Sequence, residues 1–280
     1  MSLHMRLAGA GSPLSDASSY TLGMPHLCPN GLSENWLWKE LGHRHWNLIA
    51  KAYGRAATGF GSVGDQPIYA AFRDISLHGG DLGGVRENDS LDVRSTLTHL
   101  SETRVVSRHV AACRDRLTAD VEMTSIFVRR EAEGVNRSIT RVRIAGAGSA
   151  EPSLETMPAQ PAYLCHETLA DDMFVDELEL GTKAITMCPH LDFNGAGLLY
   201  FSSFIAAVDR AEWHFVGQRS GLFSTRRRQA RFHANIEVGE DVYVHMFASK
   251  VGVHYQHRAR LSTSVDDRLL AEVVTHRIMS

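Results

Sequence analysis

The sequence has 280 residues, of which 44% are hydrophobic and 22% are charged, and its formal net charge is −3. This composition is ordinary for a globular protein of one large domain or two small ones. No apolar run approaches the roughly 18 residues that a membrane span needs, and the N-terminal residues lack the apolar core of a signal peptide. A net charge near zero gives no overall attraction to nucleic acid. We therefore expect a cytoplasmic protein with neither nucleic-acid nor membrane partners.

One short motif occurs twice. Pro-His-Leu-x-x-Asn-Gly begins at Pro25 and again at Pro189, so the two copies lie 164 residues apart. Five identical residues in a window of seven, each followed by an apolar run, indicate an internal repeat. Proline opens a rigid segment, Asn-Gly tolerates positive φ, and the periodic apolar run that follows is typical of a helix. Each copy therefore predicts a loop that leads into a buried helix.

Strand patterns follow each predicted helix. The first helix is expected to run from the motif to about Ala57, and the second from about Leu198. Asn30 or Ser33 could cap the first helix and Asn194 the second. The runs with strand character are 68–77, 91–100, 103–113 and 117–129, and then 226–238, 242–250, 251–263 and 269–278. Each half is thus an α+β unit, one long central helix wrapped by a curved antiparallel sheet.

This order gives a domain prediction. Residues 1–20 are rich in Gly, Ser and Ala and are expected to be flexible. The first domain covers 21–145, a linker rich in Gly, Ala, Ser and Pro covers 146–161, and the second domain covers 162–280.

The element order resembles the hot-dog fold of thioesterases and acyl-CoA dehydratases, here as a tandem or double hot dog. More narrowly, the chain resembles biosynthetic proteins related to the leinamycin-pathway acyltransferase/decarboxylase. The residues that carry this resemblance are Gly23-Met24, Asn30-Gly31, the helix to Trp46, and Pro67-Ile-Tyr-Ala-Ala-Phe72. It implies a polyketide-type enzyme that decarboxylates a (methyl)malonyl-CoA and transfers the acyl group to an acyl carrier protein, with the coenzyme A thioester as substrate and no separate cofactor.

The resemblance also implies a catalytic tyrosine. Tyr69, in Pro67-x-Tyr-x-Ala-Phe72, is the position that matches, and Tyr53 is the alternative. A phenol ionises near pH 10 in water, so nucleophilic attack at neutral pH requires a neighbouring cation or base. Arg73 lies four residues further along and would share a strand face with Tyr69.

The two motif loops offer groups that could stabilise an oxyanion. Backbone N–H groups at a helix N-terminus suit the negative charge that forms on a thioester oxygen. Gly31 and Gly195 lack a Cβ and would let a thioester approach, although both could serve only the turn. Asn30 and Asn194 are candidates for catalytic amides as well as for helix caps.

The histidines of the same loops give a different chemistry. His26 and His190 could each act as a base, and Asp192 could assist His190, as in a hot-dog thioesterase or dehydratase. A structural role in the loop is the alternative for each of them.

The densest positive patch comprises Arg226, Arg227, Arg228 and Arg231. A cationic rim at this point would bind the phosphates of acyl-CoA or the acidic surface of an acyl carrier protein. The alternative is a solvated strand edge protected by charge. If only the patch is functional, the protein is a non-catalytic partner that binds a carrier protein.

Three further expectations concern metals, thiols and assembly. The histidine pairs lack the companion ligands of a metal site, so no metal is expected. The four cysteines show no paired spacing and are expected to be free thiols. Exposed sheet edges would allow a homodimer.

Overall fold

The computed structural model describes residues 14–54, 62–63, 66–101, 103–143, 177–217, 223–251, 253–263 and 266–279. We call residues 14–143 the first half and residues 177–279 the second half. The predicted linker, 146–161, lies outside the described residues, as does Cys165.

Two long helices form the centre of the molecule. The helices are α1 (Glu34–Ala52), the one-turn α2 (Pro189–Asp192) and α3 (Phe201–Val216). Ser33 caps α1 as predicted, since its hydroxyl accepts a hydrogen bond from the Trp36 N–H at 3.4 Å. The N-cap of α3 is Tyr200 rather than Asn194, so the prediction for Asn194 was wrong. Single-turn 3₁₀ helices cover Met24–His26, Leu82–Gly84 and Asn136–Ser138.

Fifteen strands are found among the described residues. They are β1 (Ser15–Thr21), β2 (Leu27–Cys28), β3 (Gly31–Leu32), β4 (Ser62–Val63), β5 (Gln66–Pro67), β6 (Tyr69–Gly79), β7 (Ser90–Leu100), β8 (Arg104–Cys113), β9 (Arg116–Arg130), β10 (Ile139–Arg141), β11 (Leu178–Thr186), β12 (Phe223–Phe232), β13 (Asp241–Val251), β14 (His254–Thr263) and β15 (Leu269–Met279). Eleven of them form one antiparallel sheet in the order β1-β7-β8-β9-β6-β12-β15-β14-β13-β11, with β10 attached to β9. The long strands fall where the hydrophobic alternation predicts them. In β7, for example, Leu91 and Val93 are buried while Asp92 and Arg94 are exposed.

The two halves repeat one plan and join through β6 and β12. These strands pair antiparallel, with Asp74 opposite Arg231 and Leu77 opposite Arg228. Each also carries a β-bulge, at Arg73 in β6 and at Arg226 in β12. The curved sheet wraps α1 with its first half and α3 with its second, and buried side chains from both halves form one core. This is the α+β architecture that the sequence predicted.

The N-terminal segment differs from the prediction. Residues 1–20 were expected to be flexible, but Ser15–Thr21 forms β1 and pairs along β7. Alternate residues of β1 are partly buried, and ion pairs from Asp16 to Arg44 and Lys51 hold the strand against α1. Short polar strands of this kind are stabilised by the neighbouring edge rather than by their own composition.

None of the helices in the described ranges combines the length with the apolar character that a membrane-spanning helix requires.

Candidate functional site

A cavity of about 520 Å³ lies where the two halves meet. Its volume is in the range of small-molecule sites. The first half contributes one end of β6 and β9, the segment around β10, and Trp46 of α1. The second half contributes the loop before α3, the first turn of that helix, and the segment that follows β12. The lining residues are Trp46, Tyr69, Ala70, Ala71, Phe72, Arg73, Ile126, Val128, Asn136, Arg137, Ile139, Thr140, Arg141, Asn194, Gly195, Ala196, Leu198, Leu199, Tyr200, Phe201, Phe204, Phe232, His233, Ala234, Asn235 and Arg268.

Tyr69 lies at the start of β6 on the cavity wall and is half-buried. The guanidinium carbon of Arg130 stands 5.7 Å from the centroid of its ring, within the range of a cation–π contact. Arg130 is fixed by Asn136, whose Oδ1 accepts hydrogen bonds from its Nε at 3.0 Å and its Nη2 at 2.7 Å. A guanidinium from β9 therefore stands over the Tyr69 ring, and the predicted Arg73 lines the same cavity.

The loop before α3 is held against the first half by hydrogen bonds. Arg130 Nη2 donates to the carbonyl oxygen of Ala196 at 2.5 Å, and Asn136 Nδ2 donates to that of Gly197 at 2.8 Å. Within the loop, Asn194 Oδ1 accepts from the N–H groups of Ala196 and Leu198 at 3.0 and 3.1 Å. The carbonyl end of Asn194 is thus occupied by the loop, and its Nδ2 is the remaining side-chain donor beside the cavity.

A second asparagine fixes the far end of this loop. Asn235 forms a two-point clamp on Leu199, accepting from its N–H at 2.9 Å and donating to its carbonyl oxygen at 3.0 Å. The backbone that enters α3 is therefore positioned by side chains from three other segments. Such support makes the cavity wall rigid rather than adaptable.

Arg73 lies on the bulge of β6 and reaches across to the second half. Its Nη1 donates to the carbonyl oxygen of Phe232 at 2.6 Å and lies 3.4 Å from His233 Nδ1. Burial lowers the pKa of Arg73, the Asp74 carboxylate opposes this, and the guanidinium groups of Arg231, Arg141 and Arg104 add to the lowering. His233 is in turn held by Glu272, whose Oε2 lies 3.0 Å from its Nε2.

An aromatic cluster forms the inner end of the cavity. The ring centroids of Phe72 and Phe201 are 4.2 Å apart, and Tyr200 packs against Phe201 at 4.8 Å. Burial raises the pKa of Tyr200 and keeps its phenol neutral. A Cβ on Gly42 of α1 would lie 2.8 Å from Phe201 Cε1, so a glycine is needed for this close packing. The cavity thus has an apolar inner end and a charged outer end.

The equivalent position in the other half is filled. Gly31 has φ of 112°, and a Cβ there would lie 2.2 Å from the carbonyl oxygen of Leu82. Asn30 Nδ2 lies 3.5 Å from the carbonyl oxygen of Phe223. Backbone packing therefore occupies the space that is open beside Gly195. The two motif loops differ because α1 begins three residues after Gly31, whereas α3 begins six residues after Gly195.

This difference corrects the prediction for the two glycines. Neither Gly31 nor Gly195 lies in the first turn of a long helix, so neither provides helix N-terminal N–H groups to a substrate. The longer second loop instead brings Asn194 and Gly195 to the cavity, together with Tyr69 and Arg73. The structure thus brings four of the predicted site residues together.

The predicted loop histidines lie outside the cavity lining. His26 Nδ1 accepts the N–H of Gly23 at 2.9 Å, and its ring packs edge-on against Trp36. His190 is exposed on α2. The nearby Asp192 is buried and caps its own helix by accepting the N–H of Cys188 at 2.9 Å. These contacts are those of loop structure.

Tyr53 also lies away from the cavity lining. It follows the last residue of α1, and its ring packs edge-on against Phe127 with centroids 5.8 Å apart.

The predicted arginine patch is not a cationic rim. Arg228 is fully buried and forms ion pairs with Glu34 at 2.8 Å and Asp209 at 2.7 Å. Arg226 and Arg231 are neutralised by Asp81 and Asp74, and only Arg227 is exposed. Strand alternation separates the four side chains, since neighbours on β12 point to opposite faces of the sheet.

Sequence reasoning missed Arg130, Asn136, Asn235 and His233. Arg130 ends β9, His233 and Asn235 follow β12, and Asn136 opens a 3₁₀ helix. Polar residues at such positions are common in any β-rich protein. No local pattern distinguishes them, because their roles depend on contacts between the two halves. Within the described ranges, no group of three or more His, Cys, Asp or Glu residues could hold a metal ion.

Comparisons with known proteins bear on the fold. No family model and no curated protein matches the chain. Among solved structures, the 12:0-ACP thioesterase from Umbellularia californica is similar, with a TM-score of 0.73, 10% identity and coverage of 95% of each chain. An acyl-ACP thioesterase from Bacteroides thetaiotaomicron is similar with a TM-score of 0.64 and 9% identity, over 94% of this chain and 97% of that one. At this level of identity the likeness establishes the fold alone, and the chain is a double hot dog.

Proposed function

We propose that the protein is an enzyme that transfers acyl groups from a coenzyme A thioester to an acyl carrier protein in a polyketide-type pathway. One observation carries the proposal: Tyr69 lines a cavity that both halves build, and the Arg130 guanidinium stands over its ring. The thioesterases of similar fold act on acyl thioesters, which supports this class of substrate. The finer assignment to acyl transfer comes from the sequence resemblance around Tyr69.

In the proposed reaction, the Tyr69 oxygen attacks the thioester carbonyl carbon after losing its proton. The carbon–sulfur bond then breaks, and the coenzyme A thiolate leaves with a proton. The thiol of a carrier protein next attacks the tyrosyl ester and restores the phenol. The Arg130 guanidinium stands over the Tyr69 ring, and Asn194 Nδ2 is available to an oxyanion.

The same donors suit loss of CO₂ from a malonyl-type acyl group. When the carbon–carbon bond to the carboxylate breaks, its electrons form an enolate whose charge lies on the thioester oxygen. A proton on the α-carbon completes the step. Donors placed for a tetrahedral oxyanion would also stabilise this enolate.

Hydrolysis is the second candidate, and a specific observation favours it. His233 lines the cavity, and its Nε2 lies 3.0 Å from the Glu272 carboxylate. A histidine oriented by a carboxylate can take a proton from water as a general base. With Nε2–H donated to Glu272, Nδ1 is the basic nitrogen, and it would exchange its contact with Arg73 Nη1 for the water. We propose this pair, rather than His26 or His190, for a thioesterase or dehydratase reaction.

Product analysis separates the two candidates. Malonyl-CoA and methylmalonyl-CoA are incubated with the wild type, Tyr69→Phe and His233→Gln, with and without a carrier protein bearing phosphopantetheine. We expect the carrier protein to become acylated by the wild type and by His233→Gln, but not by Tyr69→Phe. Free acid that survives Tyr69→Phe and is lost in His233→Gln would establish hydrolysis instead. Carrier binding without turnover of either thioester would indicate a non-catalytic partner.

A further inference from the structure

We propose that Arg73, Arg104 and Arg141 form a subsite for the phosphate groups of the pantetheine-bearing substrate, at the outer end of the cavity. The proposal rests on the proposed function, because it assigns the non-reacting end of the same thioester substrate. It replaces the arginine patch on β12, which the structure shows to be buried or neutralised.

Strand register places two of these arginines on the face that carries Tyr69. Val128 of β9 lies opposite Tyr69 on one side and opposite Arg141 on the other. Residues paired directly across neighbouring strands have their side chains on the same face of the sheet. Since Tyr69, Val128 and Arg141 all line the cavity, this row runs across its wall.

The next row of the sheet repeats this arrangement. Ile126 lies opposite Ala71 of β6 and opposite Arg104 of β8. Arg104 therefore shares a sheet face with Ala71 and Ile126, which line the cavity, and lies beside Arg141. Both arginines stand two strand spacings from β6, which is about 10 Å.

Two of the three charges at this end have no acidic partner among the described residues. Arg104 and Arg141 form no ion pair with an acidic side chain in the part of the chain that the structure describes, and both are exposed. Arg73 contacts a carbonyl oxygen and His233, and the Asp74 carboxylate, which pairs with Arg231, offsets part of its charge. Gathering like charges beside a partly buried guanidinium is unfavourable, so this cluster suits an anionic ligand.

The filled position beside Gly31 allows the surroundings of Arg73 to be compared with those of its equivalent. Arg226 occupies the bulge equivalent to Arg73, 153 residues further along. Its Nη1 forms an ion pair with Asp81 at 2.9 Å. The same offset puts Ala234 where Asp81 stands, and Ala234 lines the open cavity. The bulged arginine at the filled position therefore has an aspartate at this offset, whereas the one beside the open cavity has an alanine.

The position of the cluster favours phosphate as the anion. A carboxylate on a short acyl chain would lie next to the carbonyl that reacts at Tyr69, whereas Arg104 and Arg141 start about 10 Å away across the strip formed by Ile126 and Val128. The pantetheine arm leads away from the reacting carbonyl and ends in phosphate. Guanidinium groups bind phosphate oxygens through paired N–H donors.

Binding measurements test the subsite without any chemistry. Isothermal titration of coenzyme A, phosphopantetheine and pantetheine is performed on the wild type, on the double variant Arg104→Gln/Arg141→Gln and on the control Arg116→Gln, an exposed arginine at the far end of β9. We expect the double variant to bind coenzyme A about tenfold more weakly, with a shallower salt dependence, while the control matches the wild type. Pantetheine, which lacks phosphate, should bind both proteins equally.

The two sources of phosphate give different patterns. A loss for both coenzyme A and phosphopantetheine assigns the cluster to the phosphate that coenzyme A shares with a carrier protein. A loss for coenzyme A alone assigns it to the phosphates of the nucleotide. Unchanged coenzyme A affinity in a double variant with the wild-type melting temperature would overturn the subsite, as would a wild type that binds neither phosphate-bearing probe. Turnover that survives Tyr69→Phe would refute the proposed chemistry while leaving this binding result intact.

Discussion

Replacing Arg228 by methionine should destabilise the protein strongly, because this side chain connects the two halves. The guanidinium is fully buried and donates to Glu34 at the start of α1, to Asp209 on α3 and to Thr275 on β15, at 2.8, 2.7 and 3.1 Å. Methionine fills similar space but leaves two carboxylates without this partner.

The expected loss can be derived from these contacts. Removing one partner of a buried ion pair costs about 3–5 kcal/mol. Asp209 keeps a second partner, since Arg277 Nη2 lies 2.9 Å from its Oδ1, and both carboxylates reach water, with Asp209 38% and Glu34 14% exposed. We therefore expect the lower end of that range, about 3 kcal/mol, for Arg228→Met.

Urea unfolding followed by circular dichroism measures this difference. Arg227→Met is the matched control, because Arg227 is the adjacent residue on the exposed face of β12. Its free energy of unfolding should change by less than about 0.5 kcal/mol. An Arg228→Met protein within about 1 kcal/mol of the wild type at pH 7, with an unchanged m-value, would refute the reasoning.

The pH dependence gives a second test of the same contact. Burial raises the pKa of Asp209, but the charges of Arg228 and Arg277 outweigh it and the pKa lies below the ordinary value. A carboxyl whose pKa is lowered by folding contributes stability above its unfolded pKa of about 3.9 and loses it as the pH falls through the folded pKa. The difference between wild type and Arg228→Met should therefore persist at pH 5 and shrink below pH 4.

Three further predictions concern the cavity and the core. Gly42→Ala would place a Cβ 2.8 Å from Phe201 Cε1. We expect this overpacking to lower the free energy of unfolding by about 1–3 kcal/mol, partly offset by helix propensity, and to weaken thioester binding measured by titration. Unchanged stability and binding would contradict the packing. Asn235→Ala removes both hydrogen bonds to Leu199. It should lower the free energy of unfolding by about 1–3 kcal/mol and reduce turnover. Full turnover would show that the loop needs no clamp. Burial lowers the pKa of His45 to about 3, so only the unfolded chain takes up this proton between pH 6.5 and 3. His45 should therefore contribute a fall in stability of about 1.4 kcal/mol per pH unit below pH 6.5. A slope identical in His45→Gln, by urea unfolding at several pH values, would contradict this.

Most of the fold could be predicted because its signals are local. The alternation of Leu91 and Val93 with Asp92 and Arg94 defines one side of a strand, and Ser33 is a local capping signal for α1. The repeated Pro-His-Leu-x-x-Asn-Gly motif correctly indicated two similar halves. The segment Ser15–Thr21 was missed because its pairing with β7 is a long-range contact that its composition does not encode.

The repeat was less informative about the site. Identical residues at Asn30-Gly31 and Asn194-Gly195 suggested equivalent chemistry, but the longer second loop leads to the open cavity while the first is packed against Leu82. Three additional residues before α3, which the motif does not include, decide this difference. Sequence identity in a loop therefore did not determine its conformation.

Charge was the feature that sequence could least predict. The run that contains Arg228 and Arg231 reads as a surface patch, yet a strand sends successive side chains to opposite faces and buries one of them. Conversely, Arg104 and Arg141 are far apart in the sequence and become neighbours only because both pair with β9. Only the strand register reveals which arginines gather beside the cavity.

The central claim, that Tyr69 accepts an acyl group, is tested most directly by the mass of the intact protein. Wild type, Tyr69→Phe and the control Tyr53→Phe are incubated with methylmalonyl-CoA without a carrier protein, and the adduct is located by peptide mass spectrometry. We predict an acyl adduct on wild type and Tyr53→Phe, located at Tyr69 and absent from Tyr69→Phe. An adduct that persists in Tyr69→Phe, or turnover by the wild type with no adduct at any time, would contradict the claim.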